Sequence, residues 1–287
     1  MSDLDEPRWS LEAARHPYRR SGTTPTLVQS AVLFSDVLGT EEMATSNDAE
    51  AYLQRSSEAL ARAAATAGVS DVDMPHGVSW FSDNLAVGWP LRWPTDSEIA
   101  LGGLELAAGY LQASLAEDGL LMRGGLTFGP HYMDETIVFG PALVEAVRLE
   151  RELAIYPRVI LGESAVKAED RHIDYYGRGP HAPQRTLLLV DDDGMVFVNY
   201  LDVVMEDPER LATSVGYLTA HRQVAIEGLH AHASDERKLA KYTWLAEYHN
   251  YFCQERLPEM TELLVTQVDA SRRFSGFGGP ITPPPEW

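Results

Sequence analysis

Apolar positions along this chain alternate between short dense runs and long spaced stripes. Leu27–Asp36 is a largely apolar run of strand length, as expected of a strand covered on both faces. From Asn47 to Ala67, alanines and other apolar residues recur three and four apart, which predicts a helix ending at Gly68. His76–Phe81 and Leu85–Trp89 read as strands joined around Ser82-Asp83-Asn84, residues that favour tight turns. Asp96–Glu117 predicts a second long helix, closed by Asp118-Gly119. A glycine-interrupted strand at Leu120–Phe128, a short one at Thr136–Phe139, a helix at Ala142–Leu153 and a strand at Arg158–Leu161 follow. Arg185–Val190 and Met195–Tyr200 flank Asp191-Asp192-Asp193-Gly194, a strong hairpin signal. Strands, helices and hairpins in this alternation predict an α+β sheet domain.

The pattern divides the chain into four parts. Residues 1–26, rich in Arg, Ser, Thr and Pro, read as a flexible arm, and 27–205 as the sheet domain. Residues 206–270 read as a helical extension, since the pattern from Pro208 to Leu264 is helical throughout. The tail at 271–287, with its Gly-Gly-Pro and triple proline, reads as disordered or extended.

Composition changes this picture in one respect. At 287 residues, 45% hydrophobic and 23% charged, the chain is ordinary for a globular protein with a substantial core. The net charge of −20 is not ordinary. So acidic a surface repels nucleic-acid polymers and anionic membranes, so neither is an expected partner. A nucleotide would need bound cations and a locally basic pocket. The single cysteine, Cys253, excludes an internal disulfide and a cysteine-based zinc site. A polar N-terminus and the lack of an apolar stretch of ~20 residues predict a cytoplasmic protein.

The candidate chemistry starts with two aspartates, each closing an apolar run: Phe34-Ser35-Asp36 and Phe81-Ser82-Asp83. On adjacent strands they would present two carboxylates at one sheet edge, hard ligands suited to Mg²⁺ or Mn²⁺. The Val37 carbonyl would add another oxygen. Backbone amides of Val37-Leu38-Gly39-Thr40 could cradle phosphates where the chain turns into a helix. Leu33–Thr40 is also close to the Asp-x-Asp-Gly-Thr loop of haloacid-dehalogenase-like phosphatases, but Leu38 replaces the second aspartate. Without that general acid the leaving group goes unprotonated, which disfavours the phosphatase reading. Arg123, beside Gly124-Gly125, is a candidate partner for phosphate or carboxylate, because glycines let a ligand approach the backbone. Trp80, Trp89 and Trp93 are expected in the core, and His221, His230 and His232 on the surface.

In order and spacing, Phe34-Ser35-Asp36, Phe81-Ser82-Asp83, Arg123-Gly124-Gly125 with Gly129, Gly140-Pro141-Ala142-Leu143 with Ala146 and Leu149-Glu150, and Tyr156-Pro157-Arg158 resemble a class III nucleotidyl cyclase. The likeness is closer to the pyrimidine cyclases of the bacterial Pycsar anti-phage system, with a weaker echo at Lys241–Leu245. It implies a ferredoxin-like, palm-type mixed sheet flanked by helices. It implies conversion of UTP, or CTP, to a 3′,5′-cyclic monophosphate and pyrophosphate, a second messenger read by a separate effector. Asp36, Val37 and Asp83 would hold two Mg²⁺ or Mn²⁺ ions, with Phe34, Val37, Leu38, Gly39 and Thr40 at the nucleotide. Arg148 falls at the transition-state arginine, joined by Arg123, and sites shared across a homodimer are implied. The chain departs from the family at Val144, where an asparagine is expected, and at Ile137, where purine cyclases carry a base-reading acid. A purine cyclase and a catalytically silent nucleotide-binding module remain open alternatives.

Overall fold

An unbroken apolar core, Ala31-Val32-Leu33, makes Val28–Val37 a central strand, buried on both faces. The computed structural model describes residues 18, 24–68, 77–205, 211–269 and 271–279. Most of the arm at 1–26, His76, residues 206–210 and the end of the tail lie outside the described residues. The strands are β1 (Val28–Val37), β2 (Gly77–Phe81), β3 (Asn84–Pro90), β4 (Met122–Met133), β5 (Val138–Phe139), β6 (Val159–Leu161), β7 (Leu188–Val190), β8 (Val196–Val198) and β9 (Ser275–Gly276). They pair in the order β2-β3-β1-β4-β6-β8-β7-β9, with β5 alongside β4. Only β4 and β6 run parallel, so the sheet is mixed. The helices are α1 (Thr40–Ala44), α2 (Ala49–Thr66), α3 (Ser97–Glu117), α4 (Pro141–Arg148), α5 (Glu163–Tyr175), α6 (Gln184–Leu187), α7 (Leu211–Ala231) and α8 (Glu236–Arg256).

Alternation along β1 assigns its two faces. Ala31, Leu33 and Val37 join the core built with α2, α3 and α5. Val32 and Phe34 lie under Ala142 and Ala146 of α4. Ile160 and Phe197, farther along the sheet, pack with Trp244, Tyr248 and Phe252 of α8. The fold is thus the expected α+β sheet flanked by helices. The window Pro94–Glu117 is apolar and long enough to cross a membrane, but 67% of its most apolar stretch is buried inside the protein.

Four details depart from the sequence pattern. The helix read through Leu153 is α-helical only to Arg148; Leu149–Leu153 form a π turn, with the Ala154 N–H donating to the Leu149 carbonyl at 2.8 Å. α5 escapes the pattern because two of its buried positions, Glu169 and His172, are polar. Trp80 and Trp93 are 38% and 49% exposed, not core. Among the described residues β2, which carries Trp80, is an edge strand paired with β3 alone. His221, expected at the surface, is fully buried, bonded to the Tyr200 hydroxyl at 2.7 Å and to His249 at 3.0 Å.

A buried charge knot ties the C-terminal helices to the sheet. Arg158, just before β6, is fully buried and pairs with Asp191 and Asp193 in the β7–β8 turn. Asp191 also accepts from the Trp244 indole of α8 at 2.7 Å and pairs with Arg272 at 2.7 Å. Tyr156, Phe197 and Trp244 surround the Arg158 guanidinium, adding cation–π attraction. Removing one partner of a buried pair strands the other's charge, at about 3–5 kcal/mol. Arg158→Met is therefore expected to lower unfolding free energy by that amount in urea titrations. A loss below about 1 kcal/mol, the scale of an exposed pair, would show that the knot contributes little.

Candidate active site

Register brings the candidate residues together. In the antiparallel ladders Asp36 stands opposite Asn84 of β3 and opposite Arg123 of β4. Asp83 precedes Asn84, in the two-residue turn after β2, where Ser82 takes a left-handed φ of 57°. The Asp36 and Asp83 side chains meet in hydrogen-bonding contact. Arg123 approaches Asp36 at 3.5 Å and Glu150 at 2.6 Å.

The electrostatics follow from this crowding. Burial first, then the Asp83 carboxylate, and more weakly Glu150, push the Asp36 carboxyl up to about 7, while Arg123 opposes the rise. Glu150 is also raised, mainly by burial, with Arg123 and Arg151 pulling it back. Sequence reading placed Glu150 in a motif without a role. The π turn after α4 holds it, buried, against Arg123. A lone acid in a helix carries no signal of this; only the widened turn reveals it.

The glycine pair acts differently from the expectation. A β-carbon at Gly125 would stand 2.5 Å from the Ala146 carbonyl oxygen, and one at Gly124 would stand 2.6 Å from the Phe34 carbonyl oxygen. The glycines admit helix α4 and strand β1, so close packing of the protein, rather than ligand approach, explains them.

The loop after Asp36 leaves β1 at Val37. The Leu38 amide is spent on the Leu121 carbonyl at 2.8 Å, and the Thr40 hydroxyl donates to the Val37 carbonyl at 3.1 Å. Thr40 also meets the Tyr52 hydroxyl at 2.8 Å. Gly39 takes a left-handed φ of 92°, with open space where its β-carbon would be. Phe34 is half-buried under α4, on the same face of β1 as Asp36. Arg148 is exposed at the end of α4; no interaction among the described residues joins it to Asp36, Asp83 or Arg123. Val144 is 68% exposed, and Ile137 lies half-exposed just before β5.

The donor set suits a hard cation. Two touching carboxylates repel each other, as the raised Asp36 shows, and a divalent ion relieves that repulsion with oxygen ligands. The Val37 carbonyl keeps one lone pair beyond the Thr40 bond. Among the described residues no three His, Cys, Asp or Glu side chains converge on one point, so a substrate or water would supply the remaining ligands.

No protein-family model matches this chain. No curated protein matches it either. Among solved structures, 39 chains match. One is the adenylyl cyclase CyaB from P. aeruginosa, at 14% identity and a TM-score of 0.41, covering 60% of this chain and 93% of that one. Another is a class III adenylyl cyclase-like ATP-binding protein from Pseudomonas aeruginosa, at 15% identity and a TM-score of 0.38, covering 50% of this chain and 35% of that one. These scores are too low to carry activity across.

In metal-free protein, the Asp36 carboxyl is expected to titrate near 7 by ¹³C NMR. Asp83→Asn, which removes the neighbouring charge, should move that midpoint down, and Arg123→Met should move it up. A midpoint near 4 in the wild type, the ordinary carboxylate value, would mean that the two aspartates do not share a site.

Proposed function

We propose that this chain is a metal-dependent nucleotide cyclase acting on a pyrimidine nucleoside triphosphate, UTP before CTP. The observation that carries this reading is the touching Asp36–Asp83 pair at the sheet edge, beside the open backbone at Gly39. Asp36, Asp83 and the Val37 carbonyl would hold Mg²⁺ or Mn²⁺, which supplies activation of the ribose 3′-hydroxyl and charge compensation on the triphosphate. The 3′-oxygen would then bond to the α-phosphorus as the bond to the β-phosphate oxygen breaks. The hydroxyl proton leaves to solvent, and pyrophosphate departs.

The chain's own residues set up this displacement. Arg123, paired with Glu150 and near Asp36, would act as a positioning residue for the Asp36 carboxylate. Phe34 and the Val37–Thr40 loop would flank the nucleotide. Arg148, exposed and, among the described residues, with no link to Asp36 or Asp83, would reach the leaving phosphates of a second copy across a two-fold homodimer. The choice of a pyrimidine rests on the sequence resemblance and on Ile137, an aliphatic side chain where a purine-reading acid would stand. The cyclic product would serve a separate effector in anti-phage defence, and a cytoplasmic location fits a nucleotide messenger.

Turnover of ATP, GTP, CTP and UTP with Mn²⁺ tests this directly. UTP should be cyclised fastest, and Asp36→Ala or Asp83→Ala should cut kcat at least about 10³-fold, the scale on which charge-stabilising groups act. Mixing Asp36→Ala and Arg148→Ala chains should restore part of the activity through heterodimers. Comparable rates with ATP would remove the pyrimidine assignment, and no product from any triphosphate would remove the cyclase.

A further inference from the structure

A second cavity opens beyond the loop that follows Asp36. Its volume is about 230 Å³, and Leu38, Gly39, Tyr52, Arg55, Lys238 and Lys241 are among its lining residues. That is below the ~300 Å³ of the smallest ordinary ligand pockets, so it is too small for a whole nucleotide. Three of its lining residues are cations, in a chain whose net charge is −20.

The three cations are not equivalent. Lys238 is paired with Glu42, which lines the same cavity, and with Asp235. Arg55 is exposed and lies over the Tyr52 ring, its guanidinium carbon 5.7 Å from the centroid. Lys241 is half-buried and makes no ion pair or hydrogen bond among the described residues. Burial, together with Arg123 and Arg237, disfavours its ammonium, while Asp36 favours it. Those interactions place Lys241 in the same electrostatic field as the carboxylate site. A half-buried ammonium with no direct ion pair among the described residues, and only Asp36 acting on it through space, costs stability unless an anion comes to it. The surface lysine Lys167, by contrast, is already matched by Glu163.

We infer that Lys241, carried by helix α8 and assisted by Arg55, forms an anion seat for the β- and γ-phosphates of the substrate and for the pyrophosphate released from it. Leu38 and Gly39, from the loop that follows Asp36, line the seat. The C-terminal helices therefore complete the site in the same chain, with α8 anchored by the Trp244–Asp191 bond three residues beyond Lys241. This deepens the cyclase reading and rests on it for the identity of the nucleotide; the polyphosphate chemistry stands on the cavity itself.

The test is calorimetric titration of the full chain, without metal, with inorganic pyrophosphate, inorganic tripolyphosphate and UTP. The wild type should bind tripolyphosphate, and Lys241→Met, which keeps the aliphatic stem, should weaken that binding about tenfold or more, as expected for a charge-assisted hydrogen bond. Arg55→Ala, at an exposed position, should weaken it less and serves if Lys241→Met fails to fold. An equal loss for UTP places the nucleotide's phosphates in the seat; UTP binding unchanged in Lys241→Met overturns that placement. Tripolyphosphate binding unchanged in Lys241→Met of wild-type melting temperature, or absent from the wild type, overturns the inference. If the seat binds polyphosphate while no triphosphate is cyclised, the cyclase reading fails and the seat stands.

Discussion

The site depends on one constraint, the register of β1 between its two antiparallel neighbours. Asp36 sits opposite both Asn84 and Arg123 because ten consecutive β1 residues pair with β4 and seven pair with β3. Side chains alternate with a period of two, so a slip of one residue would turn Asp36 into the α2–α3 core and expose Leu33 to the α4 face. Burial on both faces forbids that slip, because Ala31, Val32 and Leu33 are all fully enclosed. The packing of the sheet and the placement of its carboxylates are thus one requirement. The glycines of β4 belong to it as well: without Gly124 and Gly125, neither β1 nor α4 could come close enough to enclose the site.

A second dependence runs through the C-terminal helices. Trp244, Tyr248 and Phe252 of α8 share a core with Ile160 and Phe197 of the sheet. The same helix carries Lys241, one turn before Trp244, and Trp244 is bonded to Asp191. Arg158 and Arg272 converge on that carboxylate from the start of β6 and from the chain leading into β9. Lys241 and Trp244, one turn apart, share a side of α8, so the buried ion cluster at Asp191 helps fix where Lys241 is presented. Such a cluster is a weak source of net stability, since desolvation offsets most of its attraction. What it supplies is a single seating for α8 on the sheet.

Much of this was legible in the sequence, and the failures share a cause. Apolar runs and turn residues located β1, β3, α2, α3 and the β7–β8 hairpin to within a few residues, because burial and turn conformation are local demands on composition. The approach of Asp36 to Asp83 was legible because each closes a run ending in Phe-Ser. Glu150, Glu169, His172 and His221 were not, because each is a polar residue held inside the protein by specific partners that hydrophobic periodicity does not register. His221 is satisfied by Tyr200 and His249, and His172 by Ser97 and Glu169. Periodicity counts such positions as surface. Trp80 failed in the opposite direction: a tryptophan reads as core, but among the described residues no strand covers the outer edge of β2.

Charge explains why the cations that remain are informative. With 43 acidic and 23 basic side chains, carboxylates outnumber cations, and several cations inside the fold are paired with them. Arg62 takes Asp118, Arg178 takes Asp170 and Asp174, and Arg158 takes Asp191 and Asp193. In such a chain an enclosed cation without a carboxylate is harder to explain than a paired one. Lys241, beside the loop that leaves the carboxylate site, has no direct carboxylate contact among the described residues, with Asp36 acting on it only through space. On an acidic surface that repels a free nucleotide, such a position is where a phosphate chain would settle on the proposed reading. On the proposed reading, Asp36 and Asp83 would meet a metal-bound triphosphate through the cation, and Lys241, within the electrostatic reach of Asp36, would meet its phosphates directly.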